Sequence, residues 1–504
     1  MLTAVRWLPP ILLSLASLHP LQAATPADAP AEAPSFAQHL AALSHPDPYT
    51  RGEAAIALGR IGEPAVPALT QALRSDDARL RTSAAIALGR IGAPAVRALP
   101  ELTALLSDAN AQVRHVAAVT LGGLGTAARS AAPALTRILS DQSEAVRRSA
   151  VLALDQVAPG HRADALSQPA VVATLDHLVP ALLAEHHVPG LAVALIRDGQ
   201  RVWSRGYGVM RAGSSEPVTP ATVFEAASMS KPILAMLAMQ LVDARQLDLD
   251  RPVVAYGTEL LVPDVPDKQR VTARMLMAHT SGYPNWRPGG EEVEGPLPLL
   301  FSPGARFGYS GEGIFYLQRR VEWLTGQPLQ ALAQARLFGP LGLTGTDFGW
   351  TPQIGARQAS GHGDDGAARP PSRYQHPNAA YTLYTTVDDY ARLLVEMLKA
   401  ARGTSALLSQ SSAQEMLRHQ VRVDAREPIE RPGAAQGQAV FWGLGWSINA
   451  TAQGDIAHHS GANSTGFRSF SQFSPARGSG LVILTNGMQG DELWRRLVAA
   501  IGDW

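Results

Sequence analysis

The 504-residue chain contains no cysteine, which excludes a disulfide framework, a thiol nucleophile, a thiolate metal site and a lipid-bearing thiol. Lysine is nearly missing too: arginine carries the positive charge, and only Lys231, Lys268 and Lys399 occur. Charge of either sign is not in excess, with 43 Lys+Arg against 43 Asp+Glu. Such a balance, with no long basic stripe, offers no electrostatic footprint for a nucleic acid. Beyond the N-terminal leader, no apolar run approaches the roughly 20 residues of a membrane helix. The Gly-x-Ser-x-Gly elbow of α/β-hydrolases and the zinc motif His-Glu-x-x-His are both absent, removing two common hydrolytic designs.

What is present falls into stretches of different character. Residues 1–23 place Arg6 ahead of a short apolar segment and end in small residues, the layout of a signal peptide. The expectation is export to the periplasm or medium, with no transmembrane anchor after cleavage. Residues 24–35, ATPADAPAEAPS, read as an extended Pro/Ala linker. Over residues 36–160 a unit recurs: RGEAAIALGRIG at 51–62, RTSAAIALGRIG at 81–92, RHVAAVTLGGLG at 114–125 and RRSAVLALDQVA at 147–158, spaced by 30, 33 and 33 residues. Helix pairs of this length cannot bury an apolar stripe alone and must stack as a solenoid. The unit resembles the short bacterial HEAT-like repeat, with Ala54, Ala84 and Ala117 suited to close packing and Gly62, Gly92 and Gly125 to helix ends. A protein partner for its exposed face is the corresponding expectation.

Residues 161–504 mix strand and helix signals. Asp198-Gly199 separates two strand-like runs, as in a hairpin, and two more strands with a final helix close the chain. Strands at both ends with helices between predict an antiparallel sheet flanked by helices and carrying a helical insertion. The whole is thus a multi-domain chain, an all-α solenoid followed by an α+β domain.

One lysine lies in FEAASMSKP, residues 224–232, just before an apolar run. Pro232 is tolerated only near a helix start, and residues three apart on a helix share a face, so Lys231 can reach the Ser228 hydroxyl. Arginine stays protonated, whereas a buried lysine can become a neutral proton acceptor. That needs a shift of about 3 units, within what burial supplies. Two further elements follow, Tyr309-Ser310-Gly311 after a Pro-Gly turn and His459-Ser460-Gly461 before the closing strands.

This ordered trio resembles the serine β-lactamase and penicillin-binding superfamily, nearest its class C, D-alanyl-D-alanine carboxypeptidase and family VIII esterase branch. MLMAHTSGYP at 275–284 and LFGPLGLTGT at 337–346 fit that branch as well. The resemblance implies Ser228 as acylated nucleophile, Lys231 as its activator, Tyr309 as proton shuttle and His459 in place of the third-motif lysine. It implies an oxyanion hole from the backbone N–H groups of Ser228 and Ala462, with Ser460, Gly461 and Gly311 facing substrate. Lys231 and His459 are expected to supply the cations that help a phenol act as a base. Gly311 departs from the usual asparagine that contacts a substrate's acylamino group, and His459 weakens recognition of a carboxylate. The resulting expectation is a cofactor-free, metal-free hydrolase for an ester or D-amino-acid amide or peptide, with weak or no β-lactamase activity. The rival is a catalytically weak receptor whose repeats bind protein. His279 is read as structural because HTSG at 279–282 matches a structural turn of that family. The pairs His186-His187 and His458-His459 and GHGDDG at 361–366 are not read as a metal site, because no His-Glu-x-x-His is present and adjacent histidines on a strand point to opposite faces. Trp442 and Trp446 are read as packing residues, and Glu312 as a solvated helix-end carboxylate.

Overall fold

The computed structural model describes residues 35–158, 168–257, 267–287, 297–424, 427, 439–451 and 454–501. The leader-like residues 1–23 lie outside them, as does nearly all of the Pro/Ala-rich linker.

The repeats fold as α1 (Phe36–Ala42), α2 (Pro48–Ile61), α3 (Val66–Ala72), α4 (Ala78–Ile91), α5 (Leu99–Ala104), α6 (Ala111–Gly123), α7 (Ala132–Arg137) and α8 (Glu144–Val157). Asp47, Asp77 and Asn110 cap the long helices α2, α4 and α6 by accepting from backbone N–H groups of the first turn. Gly62 and Gly92 end α2 and α4 at φ 76° and 75°, a conformation that favours glycine. Ala54, Ala84 and Ala117 are buried between neighbouring long helices. A ladder ties repeat to repeat: Arg81 grips both Asp108 oxygens at 2.7 and 2.9 Å, and Arg114 grips Asp141 at 2.7 and 2.8 Å. Each guanidinium also holds two backbone carbonyls of its own preceding turn. The repeats bury a hydrophobic core of their own, from Leu43 to Ala158.

After α9 (Gln168–Glu185) come β1 (Gly190–Arg197) and β2 (Gln200–Gly208), joined through Asp198 at φ 54° and Gly199 at φ 72°. Next are β3 (Phe224–Ala227), α10 (Lys231–Asp243), α11 (Gly311–Thr325), β4 (Leu383–Thr385) and α12 (Val387–Ala401). The chain ends in β5 (Val421–Arg422), β6 (Val440–Trp442), β7 (Ser447–Asn449), β8 (Ile456–Ala462), β9 (Arg468–Ser474), β10 (Ser479–Thr485) and α13 (Gly490–Ile501). Among the described residues the main sheet has eight antiparallel strands ordered β2-β1-β10-β9-β8-β7-β6-β5, and β3 pairs with β4 apart from it. Leu191 lies opposite Thr485, so the two ends of this part of the chain close the sheet against each other.

The continuous apolar run of β1 is explained by helices on both faces. Leu191, Val193 and Leu195 pack with Leu481 and Ile483 toward α9 and α13. Ala192, Ala194 and Ile196 point the other way, with Val482 and Leu484, toward the core that holds α10 and α12. Helix α10 is buried from Lys231 through Leu241, which is why its sequence is apolar all round. The only charge on that buried stretch is Lys231.

Candidate active site

Ala227 holds φ 48° and ψ −125° at the end of β3, a conformation costing about 1–3 kcal/mol that surrounding structure must hold in place. It turns the chain into a 3-10 turn, Ser228–Ser230, that feeds α10, with Pro232 where a missing N–H costs nothing. The turn separates its two serines. Ser230 is fully buried, donating to Ala227 O at 2.6 Å and accepting from Leu383 N at 3.1 Å. Ser228 Oγ instead lies 2.9 Å from Lys231 Nζ. Lys231 is 1 % exposed, and its amine also donates to Ala380 O at 2.7 Å.

Tyr309 comes from the loop before α11, and its phenol interacts with the Ser228 side chain. Lys231 Nζ lies 4.9 Å from the centre of its ring. Ser310 anchors the tyrosine: its Oγ donates to Pro284 O at 2.8 Å and caps Gly313 N at 2.8 Å. His279 backs it from below, Nδ1 accepting from Ser310 N at 3.1 Å and the ring lying 4.4 Å from that of Tyr309. Trp442 meets His279, Tyr309 and His459 at ring separations of 4.9, 5.6 and 5.7 Å. Burial raises the Tyr309 phenol well above the ordinary tyrosine range, the Ser228 hydrogen bond opposing it. His279 is pushed well below the usual histidine range by burial, then by Lys231 and His459.

His459 lies on β8, 6.4 Å ring to ring from Tyr309. Its Nδ1 is 2.7 Å from Ser460 O, so the proton sits on Nδ1 and Nε2 carries the lone pair. Burial first, then Lys231, pushes it down to about 3. His459 is therefore neutral at ordinary pH, and the cationic role expected of it beside Tyr309 is corrected: packing under Trp442 removes the water an imidazolium needs. The strand passes close to the nucleophile turn. A Cβ on Gly461 would lie 2.1 Å from Ala226 O, so only glycine fits there, with Ser460 half-buried on one side and Ala462 exposed on the other.

Ser228, Lys231, Tyr309 and His459 thus converge, with Ser460, Gly461 and Ala462 along the neighbouring strand. Gly311 opens α11 beside them. Glu312 differs from its expected solvated place: it is 3 % exposed and pairs with Arg287 at 3.1 Å. His362 of the GHGDDG run is likewise built in, Nδ1 donating to Asn486 O at 2.6 Å and Nε2 accepting from Ala212 N at 3.0 Å. No group of His, Asp and Glu able to hold a metal ion occurs among the described residues. Sequence reasoning missed Glu225, three residues before Ser228. Buried on β3, it accepts from Ser372, Tyr374, Asn463 and Thr465 at 2.7–3.0 Å and so ties the turn after β8 to the 372–374 segment. Its partners are 147 to 240 residues away, and no local signal marks them.

A Ser-Lys-Tyr cluster beside the strand of an antiparallel sheet packed between helices defines a penicillin-binding type of serine hydrolase fold. The chain belongs to the Beta-lactamase family, whose pattern it matches over residues 175–503, and HEAT repeats precede it, matched at 37–106 and 99–185. Penicillin-binding protein 4 of Amycolatopsis lactamdurans is 31 % identical, over 61 % of this chain and 83 % of its own length. Esterase EstB of Burkholderia gladioli is 26 % identical, over 56 % of this chain and 81 % of its own. The solved β-lactamase/D-alanine carboxypeptidase of Pseudomonas syringae shares the fold with a TM-score of 0.56 at 19 % identity, covering 66 % of this chain and 98 % of that one.

Proposed function

We propose that the chain is an exported serine hydrolase that forms an acyl-enzyme at Ser228 from an ester or a D-amino-acid amide or peptide, turning over β-lactams weakly or not at all. The observation that carries this reading is the 2.9 Å approach of Lys231 Nζ to Ser228 Oγ, with the Tyr309 ring centre 4.9 Å from the same amine. Lys231 takes the Ser228 proton, acting in its neutral amine form. Ser228 Oγ then attacks the substrate carbonyl, and the backbone N–H groups of Ser228 and Ala462 stabilise the oxyanion. Such donors contribute about 3 kcal/mol each. Tyr309, a protonated phenol, gives its proton to the departing alkoxide or amine and regains one from Lys231. Water then adds to the acyl carbonyl, its proton passes back through Tyr309 and Lys231, and the acid leaves as Ser228 is restored.

Two features support an ester or amide over a β-lactam. Gly311 offers no side-chain amide to a substrate acylamino group, and a neutral His459 offers no charge to a carboxylate. The receptor reading is disfavoured because a binding scaffold has no use for a hydroxyl, an amine and a phenol gathered at one point. Export is carried by the leader-like residues 1–23, and the repeats are assigned to a protein partner.

Intact-mass measurement after exposure to p-nitrophenyl butyrate, a D-alanyl-D-alanine peptide and a penicillin tests the mechanism. The expected result is an adduct mapped to Ser228, absent in Ser228→Ala, with ester turnover lost in the variant. An adduct on another residue, or equal turnover in Ser228→Ala, would remove the reading.

A further inference from the structure

Gly311 is not merely a missing side chain; its place is occupied. A Cβ built there would lie 2.6 Å from Trp286 Cη2, 2.8 Å from Cζ3 and 2.9 Å from Asn285 O. The indole therefore covers the start of α11, two residues from Tyr309. The loop that carries it is fixed from both sides. Asn285 O accepts from Gly311 N and Glu312 N at 3.1 and 3.0 Å, and Asn285 Oδ1 accepts from Gly311 N at 3.0 Å. On the far side, Arg287 N donates to Glu312 Oε1 at 3.2 Å and Arg287 Nε pairs with Oε2 at 3.1 Å.

The half-buried Trp286 meets Tyr381 edge-on at 5.6 Å. Tyr381 directly follows Ala380, whose carbonyl holds Lys231. It meets Tyr374 edge-on at 5.5 Å, and Tyr374 is tied to Glu225 at 3.0 Å. Three partly exposed rings thus meet edge to edge from the tyrosine loop to the segment clamped by Glu225, the middle one next in the chain to the residue whose carbonyl holds Lys231.

We infer that Trp286 is a specificity-determining residue, presenting with Tyr381 an aromatic face to the acyl group carried on Ser228, so that the site selects flat apolar acyl groups such as arylacetyl. The inference rests on the acyl-enzyme reading above. Apolar acyl atoms laid against the rings leave water, whereas an amide placed there gives up its hydrogen bonds to water with no exchange.

The test compares kcat/KM of the full chain for p-nitrophenyl phenylacetate and p-nitrophenyl acetate, after a fluorophosphonate probe has been shown to label Ser228. In Trp286→Ala the phenylacetate-to-acetate ratio should fall about tenfold, the scale of a lost apolar pocket contact, and Trp286→Phe should keep most of it. A second measurement needs no variant: benzylboronic acid should inhibit the unaltered protein about tenfold more tightly than methylboronic acid. An unchanged ratio in Trp286→Ala, or equal inhibition by the two boronic acids, overturns the inference while Ser228 labelling stands. Absence of Ser228 labelling overturns the acyl-enzyme reading instead.

Discussion

At the scale of single residues, the site is made by what burial does to ionisable groups. His458 and His459 are neighbours on β8, and burial drives both down to about 3. Between the ordinary histidine value near 6.5 and that depressed value, the unfolded chain binds protons that the folded one refuses. Stability is therefore present above the unfolded value and lost as pH falls toward about 3, at about 1.4 kcal/mol per pH unit for each histidine. The buried carboxylates Glu225 and Asp389, raised by burial, act in the opposite sense, so the histidine effect must be read as a difference. His458 donates from Nε2 to Asn449 Oδ1 at 3.2 Å, and His458→Asn removes one of the two titrations. Urea unfolding at pH 7 and pH 5 should show an acid loss about 2 kcal/mol smaller in the variant. Tryptophan fluorescence follows this part, since of the nine tryptophans only Trp7, in the leader-like residues, precedes residue 203. Equal acid losses would mean that His458 is protonated in the fold.

At the scale of elements, the repeats and the hydrolase part solve the same packing problem differently. The sheet buries both faces between helices and needs glycine only where backbones touch, as at Gly461 against Ala226 O. The solenoid uses alanine and glycine so that long helices lie close: a Cβ on Gly122 would stand 3.0 Å from Ala153 Cα. It then links successive turns through arginine. Arg114 serves Asp141 and the carbonyls of Asp108 and Ala109 together, largely out of solvent. Arg114→Ala should cost the solenoid about 2 kcal/mol, the scale of hydrogen bonds to charged groups. Far-UV circular dichroism in urea should show the earlier helical transition, with the tryptophan-reported transition in place. Loss of both transitions together would mean that the two parts unfold as one.

At the scale of the whole molecule, the hydrophobic core of the repeats shares no residue with the cores that surround the sheet. Every residue assigned to the site lies between Glu225 and Arg468. Separate cores allow separate folding. A protein lacking residues 1–158 should therefore hydrolyse p-nitrophenyl butyrate with kcat/KM within about twofold of the full chain, if small substrates meet only the hydrolase part. A folded truncation that has lost turnover would show that the repeats complete the site.

The sequence by itself determined what short-range periodicity can encode. Repeats at 30 and 33 residues stack because neither helix of a unit can bury its face alone. Ser228 and Lys231 meet because three residues on a helical turn are neighbours, and Pro232 marks where that turn begins. Tertiary structure alone decided the electrostatics and the shape of the cleft. The carbonyl that receives Lys231 is 149 residues away, the rings packed around His459 come from separate loops and strands, and Trp286 is held over Gly311 by Asn285 on one side and the Arg287–Glu312 pair on the other. Desolvation depends on which distant atoms exclude water from a group, and no local pattern of residue types records that.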